Sequence, residues 1–347
     1  MKITTIGLDL AKSVFQVHAV DGQGRVVMER RLRRGQVAGF FAALEPCVVG
    51  LEAGGGAHHW ARVLGGLGHE VRVMAPQYVK PYVKTNKNDA ADAAAICEAA
   101  GRPTMRFVAV KSAEQQAGLM LHRVRELMVR QRTMLINALR GHLAEFGVVA
   151  AKGARQAGKL VASLDAIDEG QLPHAARELV AVLARQLADT EARLGELDRR
   201  LLAAHRANET SRRLATIPGI GPITASAIVA TVEGAQGFAS ARGFAAWIGL
   251  VPRQHSSGGK QRLGAISKRG NVYLRKLLIH GARAVVRWRR QRPCADAPWL
   301  GGLLARRPVN VAVTALANKN ARVAWALLRR GGVYRSGPRT PTPAIAG

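Results

Sequence analysis

The stretch Ile3-Thr-Thr-Ile-Gly-Leu-Asp9-Leu-Ala-Lys-Ser-Val-Phe-Gln-Val-His-Ala-Val20 decides the fold of the N-terminal part of the chain. It contains two β-rich runs, residues 3–8 and 14–20, and Asp9 directly follows the first of them. A carboxylate just past a buried apolar run adds little to stability but is well placed to bind a metal ion. An ordinary turn aspartate would look the same, so the interpretation depends on whether other carboxylates reach the same place.

Three further carboxylates follow comparable elements. Glu52 ends a short apolar run that begins at Cys47, and residues 86–100 form an Ala-rich run typical of a helix. Asp89 and Asp92 lie near the start of that helix and share one face, where like charges repel unless a cation lies between them. The candidate metal ligands are Asp9, Glu52, Asp89 and Asp92. Hard oxygen ligands suit Mg²⁺ or Mn²⁺, and such ions can activate in-line displacement at a phosphate.

The order of elements predicts an α/β domain. The opening stretch is followed by a turn at residues 21–24 and a strand at 25–31. The chain then alternates between a helix near 37–44, the strand ending at Glu52, a helix at 58–67, a strand starting at Glu70 and the Asp89/Asp92 helix. Three strands followed by alternating helices and strands predict a mixed sheet covered by helices. This order resembles a RuvC-like, RNase H-type nuclease domain, whose acids come from the first strand, the fourth strand and a late helix.

The net charge of +29 is concentrated in the C-terminal part of the chain. Residues 1–100 hold 12 Lys and Arg against 9 Asp and Glu, and residues 101–210 hold 17 against 12. Residues 211–347 hold 23 against 2, which is the electrostatic footprint of polyanion binding. Because this region also has apolar periodicity and tryptophans, we expect a folded nucleic-acid-binding domain rather than a basic tail.

Several classes of protein are not indicated by the sequence. The cysteines, Cys47, Cys97 and Cys294, are isolated, so we expect neither a zinc site nor a disulfide framework. No signal peptide or membrane-spanning apolar run is present, so a cytoplasmic protein without a membrane partner is expected. Residues 54–56 are glycines without the rest of a P-loop and indicate a strand-to-helix turn. His58 and His59 follow, either as phosphate contacts or as solvated residues at a helix start.

The central region carries two long helical patterns. Residues 114–146 predict one helix with apolar contacts at Leu119, Val124, Leu127, Met128, Leu135, Leu139 and Leu143. The second pattern places Leu183, Leu187, Thr190, Leu194, Leu197 and Leu201 in steps of four and three, the a/d seam of a coiled coil. The two helices could pack on each other within the chain or pair between subunits, and the sequence leaves both alternatives open.

Two glycine-containing segments in the C-terminal region are candidate phosphate-binding elements. Pro218-Gly-Ile-Gly-Pro222 resembles a helix-hairpin-helix turn, in which Gly219 and Gly221 would let backbone N–H groups approach a phosphate. A plain tight turn would give the same pattern. Residues 251–275 form a loop with glycines at four positions, which makes its backbone permissive. The cations of this loop, all candidate nucleic-acid ligands, are Lys260, Arg262, Lys268, Arg269 and Arg275.

Ser256 and Ser257 lie at the tip of this basic loop. A serine in such a loop is commonly just a turn residue. The surrounding positive charge would also favour an alkoxide and a pentavalent phosphate transition state, which a serine nucleophile requires. Both interpretations are open from the residues alone.

Three ordered motifs carry a specific resemblance to a known family. They are Gly249-Leu-Val-Pro-Arg-Gln-His-Ser-Ser-Gly-Gly-Lys260, Ile266-Ser-Lys-Arg-Gly-Asn-Val-Tyr-Leu-Arg275 and Ala315-Leu-Ala-Asn-Lys-Asn-Ala-Arg-Val-Ala-Trp325. They resemble transposases of the IS110 family, in particular its IS1111 subgroup, and the four acids resemble that family's N-terminal DEDD domain. The similarity covers residues 1–334.

The resemblance implies a DNA recombinase that excises and inserts its own insertion sequence. It implies a RuvC-like metal site and a nucleophilic serine from a Ser-Gly pair, which selects Ser257 although Ser256 is adjacent. It also implies a noncoding guide RNA encoded by the element, donor and target DNA as partners, and a homo-oligomer in which one subunit's serine can complete another's acidic site. The expected location is the bacterial cytosol, in association with the nucleoid.

The domain organisation expected on this basis has four parts. Residues 1–105 form the RuvC-like DEDD domain, 106–210 the helical coiled-coil region, 211–334 a mainly α C-terminal transposase domain, and 335–347 a disordered tail. Two other functions fit the same residues. One is a RuvC-type junction-resolving endonuclease that uses water instead of Ser257, and the other is a non-catalytic nucleic-acid scaffold whose acids are structural.

Overall fold

The computed structural model describes residues 2–84, 88–149, 171–232, 234–235, 237–291 and 298–335. The chain forms two compact units, Met1–Gln116 and Ala117–Gly347, and each is described by itself. The expected four-part division remains a prediction. Cys294 lies outside the described residues, and so does the predicted tail, apart from Arg335.

The N-terminal unit is built around a six-stranded mixed sheet. Its strands are β1 (Thr5–Asp9), β2 (Val14–Val20), β3 (Val26–Arg33), β4 (Val48–Glu52), β5 (Glu70–Met74) and β6 (Phe107–Val108). Its helices are α1 (Val37–Ala42), α2 (Ala57–Gly66), α3 (Pro76–Val79) and α4 (Asp89–Ala100), and α5 (Ala113–Ala144) begins at its end. The sheet order is β3-β2-β1-β4-β5-β6, with β4 parallel to both β1 and β5 and the other pairs antiparallel. This confirms the predicted mixed α/β sheet.

Two glycines let helix α4 lie directly on the sheet. A Cβ atom at Gly7 in β1 would lie 2.1 Å from the carbonyl oxygen of Ala93 and 2.4 Å from the backbone nitrogen of Cys97. A Cβ atom at Gly50 in β4 would lie 2.7 Å from the Cβ of Ala100. Only a hydrogen atom fits at these two positions, so the glycines fix how closely α4 approaches the two central parallel strands.

In the C-terminal unit, the long helix α5 packs against a second long helix, α6 (His174–Ala207). Leu135, Leu139 and Leu143 of α5 are buried in one cluster with Val180 and Leu187 of α6. The Nε of Arg125 also lies 2.5 Å from Oδ1 of Asp198 across the same two helices. The helices therefore pack on each other within the chain, which is one of the two alternatives that the sequence left open. Pairing between subunits remains a prediction.

The burial of these helices agrees with the predicted pattern only in part. The a/d face of α6 is its inner face, since Leu187, Leu194 and Leu201 are buried. In α5, however, Val124 and Leu127 are 38% and 44% exposed, so their prediction as apolar contacts is not confirmed within the chain. The helical period places them on the apolar face, but the described part of the chain leaves that stretch of the face partly uncovered.

The remainder of the C-terminal unit is mainly helical, as predicted. Its helices are α7 (Glu209–Leu214), α8 (Pro222–Thr231), α9 (Ala241–Trp247), α10 (Val272–Gln291), α11 (Pro298–Arg306) and α12 (Val309–Arg330). They share one hydrophobic core, in which Phe244, Leu278 and Ala317 are fully buried. A two-stranded antiparallel hairpin, β7 (Pro252–Gln254) and β8 (Leu263–Ile266), extends from this core. Among the described residues no helix has the length and apolarity needed to cross a membrane.

A buried histidine joins three helices of this unit. His122 of α5 is 1% exposed, and its Nδ1 lies 3.2 Å from the hydroxyl of Tyr273 in α10. Its Nε2 lies 3.2 Å from the hydroxyl of Ser226 in α8. Burial, with a smaller contribution from the charge of Arg125, lowers the pKa of His122 from 6.5 to about 4.

This histidine should make the stability of the C-terminal unit depend on pH. Between pH 6.5 and 4 the unfolded chain binds a proton at His122 that the folded chain excludes, so stability falls as pH falls through this range. The two pKa values correspond to a loss of about 3 kcal/mol in the free energy of unfolding by pH 4. Because the amide of His122→Gln does not titrate there, urea unfolding should show a smaller loss in that variant. Equal losses in wild type and variant would contradict the assignment.

Candidate active site

Two of the four predicted metal ligands lie at one edge of the sheet. Asp9 is the last residue of β1 and Glu52 is the last residue of β4. The two strands are parallel neighbours, with Leu8 opposite Leu51, so the next residues lie side by side at the carboxyl edge. This position follows from the strand lengths, because both strands begin in register and end together.

The other two ligands come from the first turn of α4. Asp89 is the first residue of this helix and Asp92 follows three residues later. The side chain of Asn88 caps the helix by accepting a hydrogen bond from the backbone N–H of Ala91 at 2.8 Å. Negative side chains are favoured at the positive N-terminal end of a helix. The helix end itself therefore helps to stabilise the two carboxylates, and no cationic side chain is needed.

The four carboxylates share one electrostatic environment. Burial and the neighbouring charges of Asp92, Asp89 and Glu52 raise the pKa of Asp9 from 3.8 to about 6. In the part of the chain that the structure describes, no three His, Cys, Asp or Glu side chains stand close enough to form a ready-made metal-binding group. The acids are nevertheless near enough for the charges of Asp92, Asp89 and Glu52 to disfavour the charged form of Asp9.

The chemistry of this donor set fits a hard divalent cation. The set offers only carboxylate oxygens, which are the ligands preferred by Mg²⁺ and Mn²⁺. A cation between the carboxylates would relieve the repulsion that raises the pKa of Asp9. Asp9, Glu52, Asp89 and Asp92 are thus the residues that would hold such an ion.

The glycine-rich turn after Glu52 is confirmed, but one histidine beside it differs from expectation. Gly56 has a φ of +84° and precedes α2, as a strand-to-helix turn requires. His58 is not a solvated helix-start residue, because its Nδ1 accepts a hydrogen bond from the backbone N–H of Lys111 at 3.3 Å. Its Nε2 also lies 3.2 Å from Nζ of Lys111. His59 is exposed, as expected for a helix-start residue.

The predicted serine loop is a tight β-hairpin. Ser257 and Lys260 form a bridge, and the N–H of Lys260 donates to the carbonyl of Ser257 at 3.1 Å. Between them Gly258 and Gly259 have φ values of +54° and +74°. Two consecutive left-handed residues define a two-residue turn of the type that matches the twist of a hairpin, and glycine adopts it without strain. Ser257 is therefore held immediately before the turn.

The two adjacent serines differ in their hydrogen bonds. The hydroxyl oxygen of Ser256 accepts from the backbone N–H of Arg262 at 3.1 Å and from Nε2 of Gln254 at 3.0 Å. The hydroxyl of Ser257 makes no hydrogen bond to any described residue, and the side chain is exposed. Ser256 thus stabilises the hairpin, whereas the oxygen of Ser257 is available to a ligand.

Four of the five predicted nucleic-acid ligands are exposed around this hairpin. They are Lys260, Arg262, Lys268 and Arg269, and none forms a salt bridge with a described residue. Arg275 is different and corrects the prediction. It is 8% exposed, and its Nη1 donates to the carbonyls of Ile248 at 2.7 Å and Arg269 at 2.8 Å. Arg275 holds the chain at the base of the hairpin, where a phosphate cannot reach it.

The base of the hairpin is also formed by backbone contacts at two glycines. A Cβ atom at Gly270 would lie 1.6 Å from the carbonyl oxygen of Trp247, and one at Gly249 would lie 2.2 Å from that of Arg269. Both glycines have positive φ values, +71° and +79°. The segments on either side of the hairpin therefore meet backbone to backbone, and no local pattern in the sequence indicates this proximity.

The predicted helix-hairpin-helix turn has a packing role at its first glycine. Gly219 has a φ of +90° and lies between α7 and α8. A Cβ atom at Gly281 in α10 would lie 1.8 Å from the carbonyl oxygen of Gly219, so the turn rests directly on that helix. Gly221 is exposed at the start of α8 and has free space around its Cα. Phosphate binding by Gly219 and Gly221 remains a prediction.

Two family models match the chain. A model for the DEDD transposase domain of IS110 elements, described as "Transposase", matches residues 6–147. A model described as "Transposase IS116/IS110/IS902 family" matches residues 211–296. The first match contains the four candidate metal ligands, and the second contains the serine hairpin.

Relatives match over almost the whole length. The "Probable family 20 transposase" of Pseudomonas aeruginosa is 55% identical over 338 residues, covering 97% of this chain and 100% of the relative. The "Transposase for insertion sequence element IS1111A" of Coxiella burnetii is 44% identical, covering 96% and 92%. The "Transposase for insertion sequence element IS1328" of Yersinia enterocolitica is 40% identical, covering 96% and 98%.

These matches, together with the fold, define the chain as a transposase, an enzyme that cleaves DNA and transfers the cleaved strands. Within that class it belongs to the IS116/IS110/IS902 family of transposases, which confirms the resemblance seen in its sequence motifs. A DEDD transposase domain generally implies the use of a divalent metal ion and of DNA as a partner.

Proposed function

We propose that this transposase excises and inserts its insertion sequence by metal-assisted strand cleavage with Ser257 as the nucleophile. The observation that carries this proposal is the contrast between the two serines of the hairpin. Ser256 has its hydroxyl oxygen engaged by two donors, whereas the hydroxyl of Ser257 is exposed and unbonded among the described residues. A nucleophile must present its oxygen to the substrate, and Ser257 meets that requirement.

The proposed reaction conserves phosphodiester bonds. The Ser257 oxygen attacks the scissile phosphorus and loses its proton, and the P–O bond to one deoxyribose breaks. That deoxyribose oxygen takes up a proton and leaves as a free hydroxyl, while the phosphate is held as a phosphoserine ester. A hydroxyl of another strand then attacks the phosphoserine, and Ser257 recovers its proton. No nucleoside triphosphate is consumed, because the serine ester replaces the broken bond.

The acidic cluster supports the metal-dependent part of the proposal. We assign Asp9, Glu52, Asp89 and Asp92 as the ligands of Mg²⁺ or Mn²⁺ in a RuvC-like, RNase H-type domain. The ion would supply charge stabilisation to the phosphoryl transition state. The sheet order and the position of the acids at the ends of β1 and β4 and in α4 support this assignment.

The direct test of the nucleophile is a trapped covalent adduct. Incubation of the wild-type protein with a nicked element end should leave DNA attached to protein, because the nick releases the strand that would reverse the reaction. After digestion, mass spectrometry should find the phosphodeoxynucleotide on the peptide containing Ser257. An adduct on Ser256 would move the assignment by one residue. Cleavage without any adduct would instead favour a water-using, RuvC-type resolvase.

We further propose that the enzyme acts as a homo-oligomer with a noncoding guide RNA. The family resemblance supports both, and the basic C-terminal region offers charge for RNA as well as DNA. Sequencing of RNA that co-purifies with the protein should recover a transcript of the element's own noncoding region. Mixing an Asp9→Asn protein with a Ser257→Ala protein should restore recombination if subunits share active sites, and no restoration would place both contributions in one chain.

The cations of the serine hairpin should determine much of the salt dependence of nucleic-acid binding. Replacing Lys260, Arg262, Lys268 and Arg269 with glutamine removes four exposed charges. Each phosphate that is no longer neutralised reduces the magnitude of the negative slope of log K against log salt by about 0.9 for duplex DNA. We expect a slope reduction of up to about 3.6 in binding titrations. Exchanging lysine and arginine at the same positions keeps the charge and should keep the slope. An unchanged slope in the glutamine variant would place binding elsewhere.

A further inference from the structure

Helix α10 carries a row of arginines that the serine hairpin does not use. Arg283, Arg287 and Arg290 are exposed and follow a spacing of four and three residues, which places them along one face of the helix. The opposite face is buried in the core through residues such as Leu278. The row extends over about 10 Å of helix, at 1.5 Å of rise per residue.

The three arginines line a common pocket rather than separate parts of the surface. The pocket has a volume of about 350 Å³, and Val286, Gln291 and Val309 also line it. None of the three guanidinium groups forms a hydrogen bond or a salt bridge with a described residue. Three like charges around one concavity repel each other, so an anion in the pocket would be strongly favoured.

A second helix adds to the positive potential of this pocket. Val309 is the first residue of α12, a helix of 22 residues, and its N-cap is Pro308, which provides no side-chain hydrogen bond. The N-terminal end of a helix carries a partial positive charge and unpaired N–H groups. Because Val309 lines the pocket, the positive end of α12 and the arginine row act on the same space.

An exposed aromatic residue directly follows Arg287 in the sequence, about 100° further around the helix. Trp288 is 49% exposed, and the guanidinium of Arg289 lies 5.6 Å from the centroid of its ring. Exposed aromatic rings among cations are typical of surfaces that bind nucleic acid, where bases or sugars stack beside the contacted phosphates. An ordinary solvated helix face would not be expected to combine a cationic pocket with the N-terminus of a second helix.

We propose that Arg283, Arg287 and Arg290, together with the start of α12, form a second binding site for the phosphodiester backbone of a nucleic acid. This arginine site is separate from the serine hairpin and has no part in the chemical step. Guanidinium groups bind phosphate through paired hydrogen bonds, and a row of about 10 Å spans roughly three intervals between successive phosphates at 3.4 Å of rise per strand. The site would hold DNA or RNA in position while the hairpin acts.

The test uses the full chain with all three arginines of the site changed to glutamine. Binding to a short duplex DNA and to a structured RNA of similar length is titrated over a range of salt concentrations. We expect the magnitude of the negative slope of log K against log salt to fall by about two to three for the nucleic acid that uses the site. If the slope changes with DNA alone, the site binds the element or target DNA. If it changes with RNA alone, the site binds the guide RNA. Unchanged slopes with both would overturn the proposal.

Two controls keep the result interpretable. The matched variant with lysine at all three positions keeps the charge and should retain the slope, while it loses the paired hydrogen bonds of guanidinium. The single variant Arg287→Gln should reduce the magnitude of the slope by about one. Because it changes only one residue, it tests the site even if the triple variant misfolds. Formation of the Ser257 adduct is measured in parallel. Unchanged slopes with a normal adduct would remove the arginine site and leave the proposed function intact.

Discussion

The Ser257→Ala protein should fold, bind nucleic acid and bind divalent metal like the wild type, and yet carry out no recombination. The change removes one exposed oxygen that has no hydrogen bond among the described residues, so the hairpin keeps the backbone bridge that holds it. Ser257 also lacks a positive φ, so alanine fits its backbone without strain. Loss of a catalytic nucleophile typically costs about 10⁴-fold or more in rate. Quantitative recombination of a reporter element would measure the loss.

The neighbouring serine provides the matched control. Ser256→Ala removes the acceptor for the backbone N–H of Arg262 and the side chain of Gln254, so the hairpin should become less ordered. We expect reduced but measurable recombination from this variant, in contrast to Ser257→Ala. Ser257→Cys should keep at most a trace of activity, because a thiolate attacks phosphate poorly. Full recombination by the double alanine variant would rule out the serine mechanism.

Neutralising the acidic cluster should have a comparably large effect. Asp9→Asn, Glu52→Gln, Asp89→Asn and Asp92→Asn each keep the shape of the side chain and remove the ligand charge. Strand cleavage should fall by about 10²-fold or more in each, as expected for loss of electrostatic stabilisation at the transition state. The measurement is cleavage of a labelled element end in Mg²⁺ or Mn²⁺.

Stability provides a readout of the acidic cluster that does not depend on cleavage. The raised pKa of Asp9 means that its charged form is disfavoured in the fold, so metal-free Asp9→Asn should be more stable than wild type at neutral pH. Added Mg²⁺ should raise the melting temperature of the wild type and have less effect on the variant. Glu98→Gln, a change at a half-buried position later in α4 that breaks a pair with Arg102, should leave cleavage unchanged. Near-normal cleavage by the Asp89→Asn, Asp92→Asn double variant would contradict the metal assignment.

The sequence predicted the N-terminal fold well because its signals are local. Apolar runs that end in Asp9 and Glu52 fix both the strands and the position of the acids, and an Ala-rich run after Asn88 fixes α4. The convergence of the acids follows from parallel pairing, which the alternation of strands and helices predicts. Local pattern was therefore sufficient for the first five strands and for the placement of the acids, whereas the short strand β6 was not predicted.

The parts that the sequence did not predict depend on contacts between distant residues. Arg275 looked like any other loop cation, and only the fold shows its guanidinium between the carbonyls of Ile248 and Arg269. Gly281 lies in an ordinary helical pattern, yet the turn at Gly219 rests on it. Val124 was predicted as an apolar contact but is 38% exposed, since helical period does not tell which stretch of an apolar face is covered.

Because a two-residue turn directly follows Ser257, the length of the two hairpin strands determines how far its hydroxyl lies from the base of the hairpin. A strand advances about 3.3 Å per residue and alternates its faces, so one added residue in each strand would turn the hydroxyl to the other side of the hairpin. Two added residues in each strand would restore the side and extend the hydroxyl by about 7 Å. The distance between the base of the hairpin and the phosphate that Ser257 attacks is thus adjustable in discrete steps. This offers protein engineers a way to shift the cleavage position without rebuilding the catalytic groups.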